Sequence, residues 1–332
     1  MESKKMTQEK DRYSLEKRGY IVGGLLGRGA FSRVYRVEER DTGRRAACKI
    51  SENIKLMERE EQILKRLKHP LFPEYYDSWR EGKTGFLLME EIFGENLAEL
   101  IRRGEKLTVY QIAELGMELA EGLLYLHESR PAILFRDVKP ENIILREDGR
   151  VKLLDFGCAC EPDTDGGTRA GTPGFSAPEQ LMESGEQTWL CDVYGLGRTL
   201  QELLWAGTRQ GRTARLCDRQ GGRRDRESHC DRQGGRRDRE SLWESRDRKR
   251  LEKFLSACVE REPSARPADM RMVMAALFHI CAPAFGGNRH GNRHGGWIAG
   301  WIKNWHGKKC SDFCRRGIIC EKNIRKSSWK TS

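Results

Sequence analysis

The stretch FRDVKPEN, Phe135–Asn142, is followed by LDFG at Leu154–Gly157 and by GTPGFSAPE at Gly171–Glu179. The first stretch groups carboxylates, a lysine and an asparagine, and the second adds an aspartate just before a phenylalanine and a glycine. Carboxylate and amide oxygens are the hard ligands that Mg²⁺ binds, and a lysine neutralises an anionic group. The stretches therefore indicate a site for a divalent cation and an anionic substrate.

A glycine-rich turn, Gly27–Val34, lies upstream between two strand-like runs. Glycines let a hairpin backbone approach a triphosphate closely and present its N–H groups to it. The turn alone is a weak signal, because Ser32 stands at the third glycine position and an ordinary hairpin is the alternative.

Lys49 falls fifteen residues after Val34, at the end of the next strand-like run. A lysine beneath a glycine-rich turn can neutralise the phosphates of a nucleotide, and it needs a carboxylate to orient it. Glu58, Glu60 and Glu61 on the following helix compete for that role. The helical register favours Glu60.

Taken in order, these segments resemble the protein kinase family over about residues 20–280. The resemblance implies an α+β, two-lobed fold: a small antiparallel β-sheet lobe with one main helix, and a larger, mostly helical lobe. Lys139 and Thr172 are similar to the residues of the eukaryote-like Ser/Thr branch, and the compact domain is similar to bacterial members. The implied activity is transfer of the γ-phosphate of ATP to Ser or Thr hydroxyls of proteins, with autophosphorylation.

The resemblance also implies a role for each matching residue. The implied catalytic residues are Asp137, Lys139, Lys49 and Glu60. The implied ATP-binding residues are Gly27, Arg28, Gly29, Ala30, Val34, Ala47, Lys49, Met89, Glu90 and Ile92. Asn142 and Asp155 would bind the metal, Mg²⁺ with Mn²⁺ as the alternative, and Glu179 would pair with Arg266 for structure.

The chain departs from the family pattern at three places. Phe135 replaces the usual histidine before Arg136, and an aromatic ring there can still pack below Phe156. The spacing between Lys49 and Glu60 is shorter than usual. After Trp205 a repeat rich in Arg and Asp replaces a helix that often docks partners, which puts docking inferences in doubt.

The sequence predicts four regions. They are a polar N-terminal segment at 1–19, the N-lobe at 20–92, the C-lobe at 93–285 with an insert at about 208–245, and a basic tail at 286–332. The insert contains CDRQGGRRDRES at Cys217–Ser228 and again, unchanged, at Cys230–Ser241. So polar a composition favours a disordered or weakly helical loop.

The net charge of +11 is concentrated in two segments. Roughly +7 comes from residues 208–250 and about +9 from 286–332, so the remainder is mildly acidic. Arg alternating with Asp largely cancels as a phosphate-binding surface. We expect ATP and protein substrates as partners and no specific nucleic acid.

The sequence shows no run of about eighteen apolar residues and no apolar core near its N-terminus, so we expect a soluble, cytoplasmic protein. The eleven cysteines are scattered rather than spaced as a disulfide framework, which fits a reducing compartment.

The tail places Trp297, Trp301 and Trp305 at four-residue intervals. If helical, it could lie in a membrane interface, but a disordered tail or a helix docked on the kinase is favoured. A zinc site is less favoured still, because the spacing fits no common ligand pattern among His306, Cys310, Cys314 and Cys320.

Besides a nucleic-acid-binding protein, for which only the basic segments argue, two other functions compete with a protein kinase. A pseudokinase scaffold commonly lacks one of the lysine or metal positions, whereas Lys49, Asp137, Asn142 and Asp155 are all present. A small-molecule phosphotransferase of related fold lacks the segment Ala177–Glu179, which implies a peptide platform. Both are therefore disfavoured.

An activation segment is expected between Asp155 and Glu179. We expect Thr168 to be phosphorylated and bound by Arg136, with Thr164 as a weaker candidate. Thr172 is expected instead to support Asp137 and Lys139 through its hydroxyl. The alternative is that an unmodified acid pairs with Arg136, and the candidates are Glu161, Asp163 and Asp165.

Overall fold

The computed structural model describes residues 2–29, 32–162, 171–182, 186–206 and 237–285. The sequence-based expectations for Ala30, Thr164, Thr168, most of the insert and the 286–332 tail lie outside these residues. No helix in the described ranges combines the length and apolarity needed to cross a membrane.

The N-terminal lobe is an antiparallel five-stranded sheet with one helix packed against it. The strands are β1 (Tyr20–Arg28), β2 (Ser32–Glu39), β3 (Arg45–Ser51), β4 (Tyr75–Glu81) and β5 (Thr84–Met89), in the order β1-β2-β3-β5-β4. Helix α2 (Ile54–Arg66) follows β3 and buries Met57, Glu60, Ile63 and Leu64 at helical spacing. Asn53 caps its start by accepting a hydrogen bond from Leu56 N at 3.3 Å.

The C-terminal lobe is mostly helical. Its helices are α3 (Leu97–Arg102), α4 (Val109–Glu128), α5 (Pro178–Leu181), α6 (Leu190–Ala206), α7 (Arg237–Cys258) and α8 (Met270–Phe285). A small sheet of β6 (Glu95–Asn96), β7 (Ile143–Leu145) and β8 (Val151–Leu153) lies beside the short 3-10 turns Pro140–Asn142 and Phe156–Cys158. One apolar core runs from α2 into α4, α6 and α8, so the lobes share buried surface.

These elements confirm the predicted two-lobed α+β fold. Two helices add detail to the regions predicted from the sequence. Helix α1 (Glu2–Lys17) occupies the segment expected only to be polar, and its Leu15 is fully buried. Helix α7 begins at Arg237, inside the second copy of the repeat.

Gly94 connects the lobes in a conformation that only glycine adopts readily. Its φ is +150°, and a Cβ there would lie 2.3 Å from the carbonyl oxygen of Leu145. We predict that Gly94→Ala lowers the free energy of unfolding by about 3 kcal/mol, because backbone strain and a backbone collision add. Denaturant unfolding measures the change.

Gly149→Ala is the matched control, because Gly149 has a φ of +80° and a Cβ there would have no atom within 4 Å. This variant should cost only about 1 kcal/mol, from φ strain alone. Equal losses in the two variants would mean that the Leu145 contact adds nothing.

Candidate active site

Lys49 is the centre of a buried ion network between the lobes. Its Nζ lies 2.8 and 2.6 Å from the two carboxylate oxygens of Glu60 and 2.7 Å from Asp155 Oδ1. Glu60 Oε1 also accepts a hydrogen bond from Phe156 N at 3.3 Å. The other two acids that competed for this role pair elsewhere. Glu58 forms an ion pair with Arg80 at 3.7 Å, and Glu61 forms one with Lys65.

Lys49 and Asp155 favour each other's charged forms. Burial alone would lower the pKa of Lys49, but the charges of Glu60 and Asp155 outweigh it and raise that pKa well above its usual value. Burial would raise the pKa of Asp155, yet the Lys49 ammonium lowers it overall. An ammonium and a carboxylate are therefore both present at neutral pH.

Asp155 and Phe156 are held in place by the turn that they begin. Asp155 has a φ of +67°, and its Oδ1 accepts a hydrogen bond from Gly157 N at 3.2 Å. The Phe156 ring packs edge-on against the rings of Phe135 and Phe72, with 5.2 and 5.3 Å between the ring centroids. Phe135 thus makes the packing contact expected of an aromatic residue at the usual histidine position.

Asp137 lies in a compact cluster of hydrogen bonds. Its Oδ2 accepts from Lys139 Nζ at 2.7 Å and from Asn142 Nδ2 at 3.0 Å, and its Oδ1 accepts from Thr172 Oγ1 at 2.8 Å. Lys139 Nζ also donates to Thr172 Oγ1 at 2.7 Å. The threonine hydroxyl therefore bridges the carboxylate and the ammonium, which is the contact expected from the sequence.

The loop Phe135–Asn142, called the catalytic loop below, rests on a buried carboxylate that was not predicted from the sequence. Asp192, near the start of α6 and 1% exposed, accepts hydrogen bonds from Phe135 N at 2.9 Å and Arg136 N at 2.7 Å. His127 Nε2 lies 2.8 Å from the same carboxylate. The available signal was an acid near the start of a mostly apolar helix, since a buried charge needs partners.

Arg136 joins the catalytic loop to the segment after Asp155. Its Nε donates to the Cys158 carbonyl at 2.7 Å, and its Nη1 donates to Gln187 Oε1 at 3.0 Å. Gln180 Nε2 in turn donates to the Arg136 carbonyl at 2.8 Å. Glu161, one of the acids proposed as a partner for Arg136, forms an ion pair with Arg66 at 3.0 Å.

Glu179 and Arg266 form the expected structural pair. Two hydrogen bonds of 2.6 and 2.8 Å join the guanidinium to the carboxylate, and both residues are buried. Arg266 also donates to backbone carbonyls of Glu260, Leu190 and Arg261. Such fork-to-fork pairing fixes orientation as well as charge.

The segment between the lobes is held by side chains from both of them. Glu90, just after Met89, accepts from Lys152 Nζ on β8 at 2.7 Å and from Glu74 N at 3.2 Å. Glu91, 7% exposed, pairs with Arg36 on β2. The backbone from Glu90 to Ile92, expected to meet an adenine edge, is thereby anchored in two directions.

The glycine-rich hairpin and the residues beside it follow the expected register. Gly27 pairs with Val34 across β1 and β2, and Gly29 N donates to the Ser32 carbonyl at 2.9 Å. Val34 pairs with Lys49, and Ala47 pairs with Met89. These pairings bring the expected nucleotide-binding residues of β1, β2, β3 and β5 together, with Arg28 exposed at the end of β1.

Asn142 and Asp155 each offer an oxygen that could bind a divalent cation. Asn142 uses its Nδ2 to bond Asp137, and its Oδ1 accepts no hydrogen bond from the described residues. Asp155 uses Oδ1 for Lys49 and Gly157, and among the described residues nothing donates to its Oδ2. Each residue therefore has one hard oxygen available to Mg²⁺ or a similar ion.

A family model of the protein kinase domain matches residues 20–278. The chain belongs to the protein kinase family. It is 31% identical over 206 residues to CBL-interacting serine/threonine-protein kinase 16 of Arabidopsis thaliana, covering 56% of this chain and 44% of that protein.

Two further relatives are similar to a comparable extent. RAC-beta serine/threonine-protein kinase A of Xenopus laevis is 32% identical over 191 residues, which are 54% of this chain and 39% of the relative. Aurora kinase of Yarrowia lipolytica is 30% identical over 201 residues, with 58% of this chain and 53% of the relative covered. The chain thus spans roughly half or less of these relatives' lengths.

Thr172 offers a test of the cluster around Asp137. Thr172→Val keeps the shape but removes the hydroxyl that bridges Asp137 and Lys139, and we predict a fall in kcat of about tenfold or more, because positioning is lost. Steady-state kinetics with ATP and a protein substrate measure it.

Thr172→Ser is the matched control, because it restores the hydroxyl and should recover most of the activity. Equal kcat values for wild type and Thr172→Val would contradict a positioning role for this hydroxyl.

Proposed function

We propose that this chain is an ATP-dependent Ser/Thr protein kinase that transfers the γ-phosphate of ATP to hydroxyls of proteins, including its own. The cluster of Asp137, Lys139, Asn142 and Thr172 carries the proposal, because a carboxylate, a cation and a metal ligand are within hydrogen-bond contact of one another. Lys49 supplies a positive charge for phosphate binding, and Asp155, which contacts it, would hold the metal cation.

Each residue acts through position and charge. Asp137 accepts a hydrogen bond from the substrate hydroxyl and orients it towards the γ-phosphate, while Lys139 neutralises charge on the transferred group. Lys49, fixed by Glu60, holds the α- and β-phosphates. Asn142 and Asp155 would bind Mg²⁺, with Mn²⁺ as the alternative, and the bound ion supplies further charge neutralisation on the phosphates.

Several features favour a protein substrate and an active enzyme. The Glu179–Arg266 pair stabilises the segment that ends in Ala177–Glu179, which supports a peptide platform. The lysine and metal positions that a pseudokinase scaffold commonly loses are filled and paired. We also propose a cytoplasmic location, in keeping with the scattered free cysteines, of which Cys48, Cys191 and Cys258 are buried.

The test is transfer of labelled phosphate from ATP and Mg²⁺ to a generic basic protein by the purified full chain. Asp137→Asn keeps the shape but weakens the acceptor, so we predict a fall in turnover of roughly 10²–10⁴ with folding little changed. Melting curves and nucleotide binding check the fold.

Asp41→Asn, an exposed aspartate in the β2–β3 turn, is the matched control and should retain full turnover. Unchanged transfer in Asp137→Asn would refute the mechanism.

We further propose that Thr168, which lies outside the described residues, is an autophosphorylation site. A phosphate adds about −1.5 to −2 charge and is a stronger acceptor for the Arg136 guanidinium than carbonyl or amide oxygens. Thr168→Ala should lose activity towards added substrates while still binding ATP, and Thr164→Ala should not. Mass spectrometry that finds Thr168 unmodified in fully active enzyme would contradict this switch.

A further inference from the structure

Helix α1 covers the outer face of the N-lobe sheet. Leu15 packs, fully buried, into a cluster with residues of β1, β2, β3 and β5. Side chains alternate between the faces of a strand, so Tyr35 and Val37 belong to this outer cluster, whereas Val34 belongs to the opposite face. Helix α1 therefore lies across the sheet from the expected nucleotide site.

The helix bonds to both strands of the glycine-rich hairpin. Arg12 donates to the carbonyl of Val22 on β1 at 3.2 Å. Asp11 Oδ2 accepts from Arg33 Nε on β2 at 2.8 Å. Arg33 directly precedes Val34, so the second contact lies at the base of the glycine-rich turn.

The Asp11–Arg33 pair also offsets a repulsion within the hairpin. Arg33 pairs directly with Arg28 across β1 and β2, and like charges opposite each other destabilise a strand pair. Asp11 is only 4% exposed, and Arg33 Nη2 is buried without a hydrogen-bond partner among the described residues. The carboxylate that compensates the charge of Arg33 thus comes from outside the sheet.

The end of the helix is fixed as well. Two residues after the end of α1, Gly19 turns the chain with a φ of +88°, and its N–H donates to the Glu16 carbonyl at 3.0 Å. The Arg18 guanidinium lies 4.4 Å from the centre of the Trp79 ring, which stacks on Tyr20 at the start of β1. Movement of α1 would therefore be transmitted directly to β1.

We propose that α1 is a positioning element for nucleotide binding and that Asp11 is its positioning residue. Helix α1 holds both strands of the hairpin from the outer face, and it thereby fixes the distance between the glycine-rich turn and the ATP phosphates. The inference rests on the proposed kinase function, since it assigns this hairpin to ATP.

The test compares Asp11→Asn with wild type in the full chain. Loss of the charge should raise the KM for ATP about three- to tenfold with kcat within about twofold, because ground-state binding is weakened rather than the chemical step. Amide hydrogen exchange of residues 25–29 and 32–34 should become faster. Asp11→Glu keeps the charge and should recover most of the wild-type KM.

Glu9→Gln is the matched control, because it removes the same charge from an exposed position of the same helix. A purely structural role would lower the melting temperature of Asp11→Asn but leave its KM and hairpin exchange equal to those of Glu9→Gln, and that result would overturn the proposal. An inactive wild type would refute the proposed function instead, and hydrogen exchange would still decide the role of α1.

Discussion

The rest of the site depends on the position of one buried ammonium. Lys49 comes from β3, Glu60 from α2 and Asp155 from the segment after β8, so three elements of two lobes meet at a single cation. A charge so deeply buried is tolerated only when it is paired, and it would be uncompensated if both carboxylates were removed. The sheet, helix α2 and the turn that begins at Asp155 are therefore constrained together.

Surrounding contacts also stabilise strained backbone beside Asp137 and at Asp155. Arg136 and Asp155 are the described non-glycine residues with positive φ, at +65° and +67°. Such conformations cost about 1–3 kcal/mol each and need surrounding contacts that fix them. Asp192 and Gln180 supply these contacts for Arg136, while Lys49 and Gly157 supply them for Asp155.

The fold and the clustered motifs could be predicted from the sequence because short segments such as Phe135–Asn142 and Leu154–Gly157 resemble the protein kinase family in residue type, order and spacing. Asp192 and Lys152 could not, since no motif in the sequence linked them to their partners, 56 and 62 residues away. Glu179 and Arg266 are 87 residues apart, and only the family resemblance paired them. Helix α1 was also not predicted, because it is polar on nearly all sides and is held by Leu15 and Asp11 alone among its described buried residues. Which surface-type residue becomes buried is decided by tertiary packing, and no local pattern encodes it.

The segment between the lobes, Glu90–Ile92, and helix α1 are both tied to strand β2. Glu90 is tied to β8 of the C-lobe and Glu91 to β2 of the N-lobe, so the backbone expected to meet adenine cannot follow one lobe without straining against the other. Strand β2 carries both Arg36, which pairs with Glu91, and Arg33, which pairs with Asp11. The adenine edge and the glycine-rich turn are thus fixed through one strand, and a force on α1 would reach both.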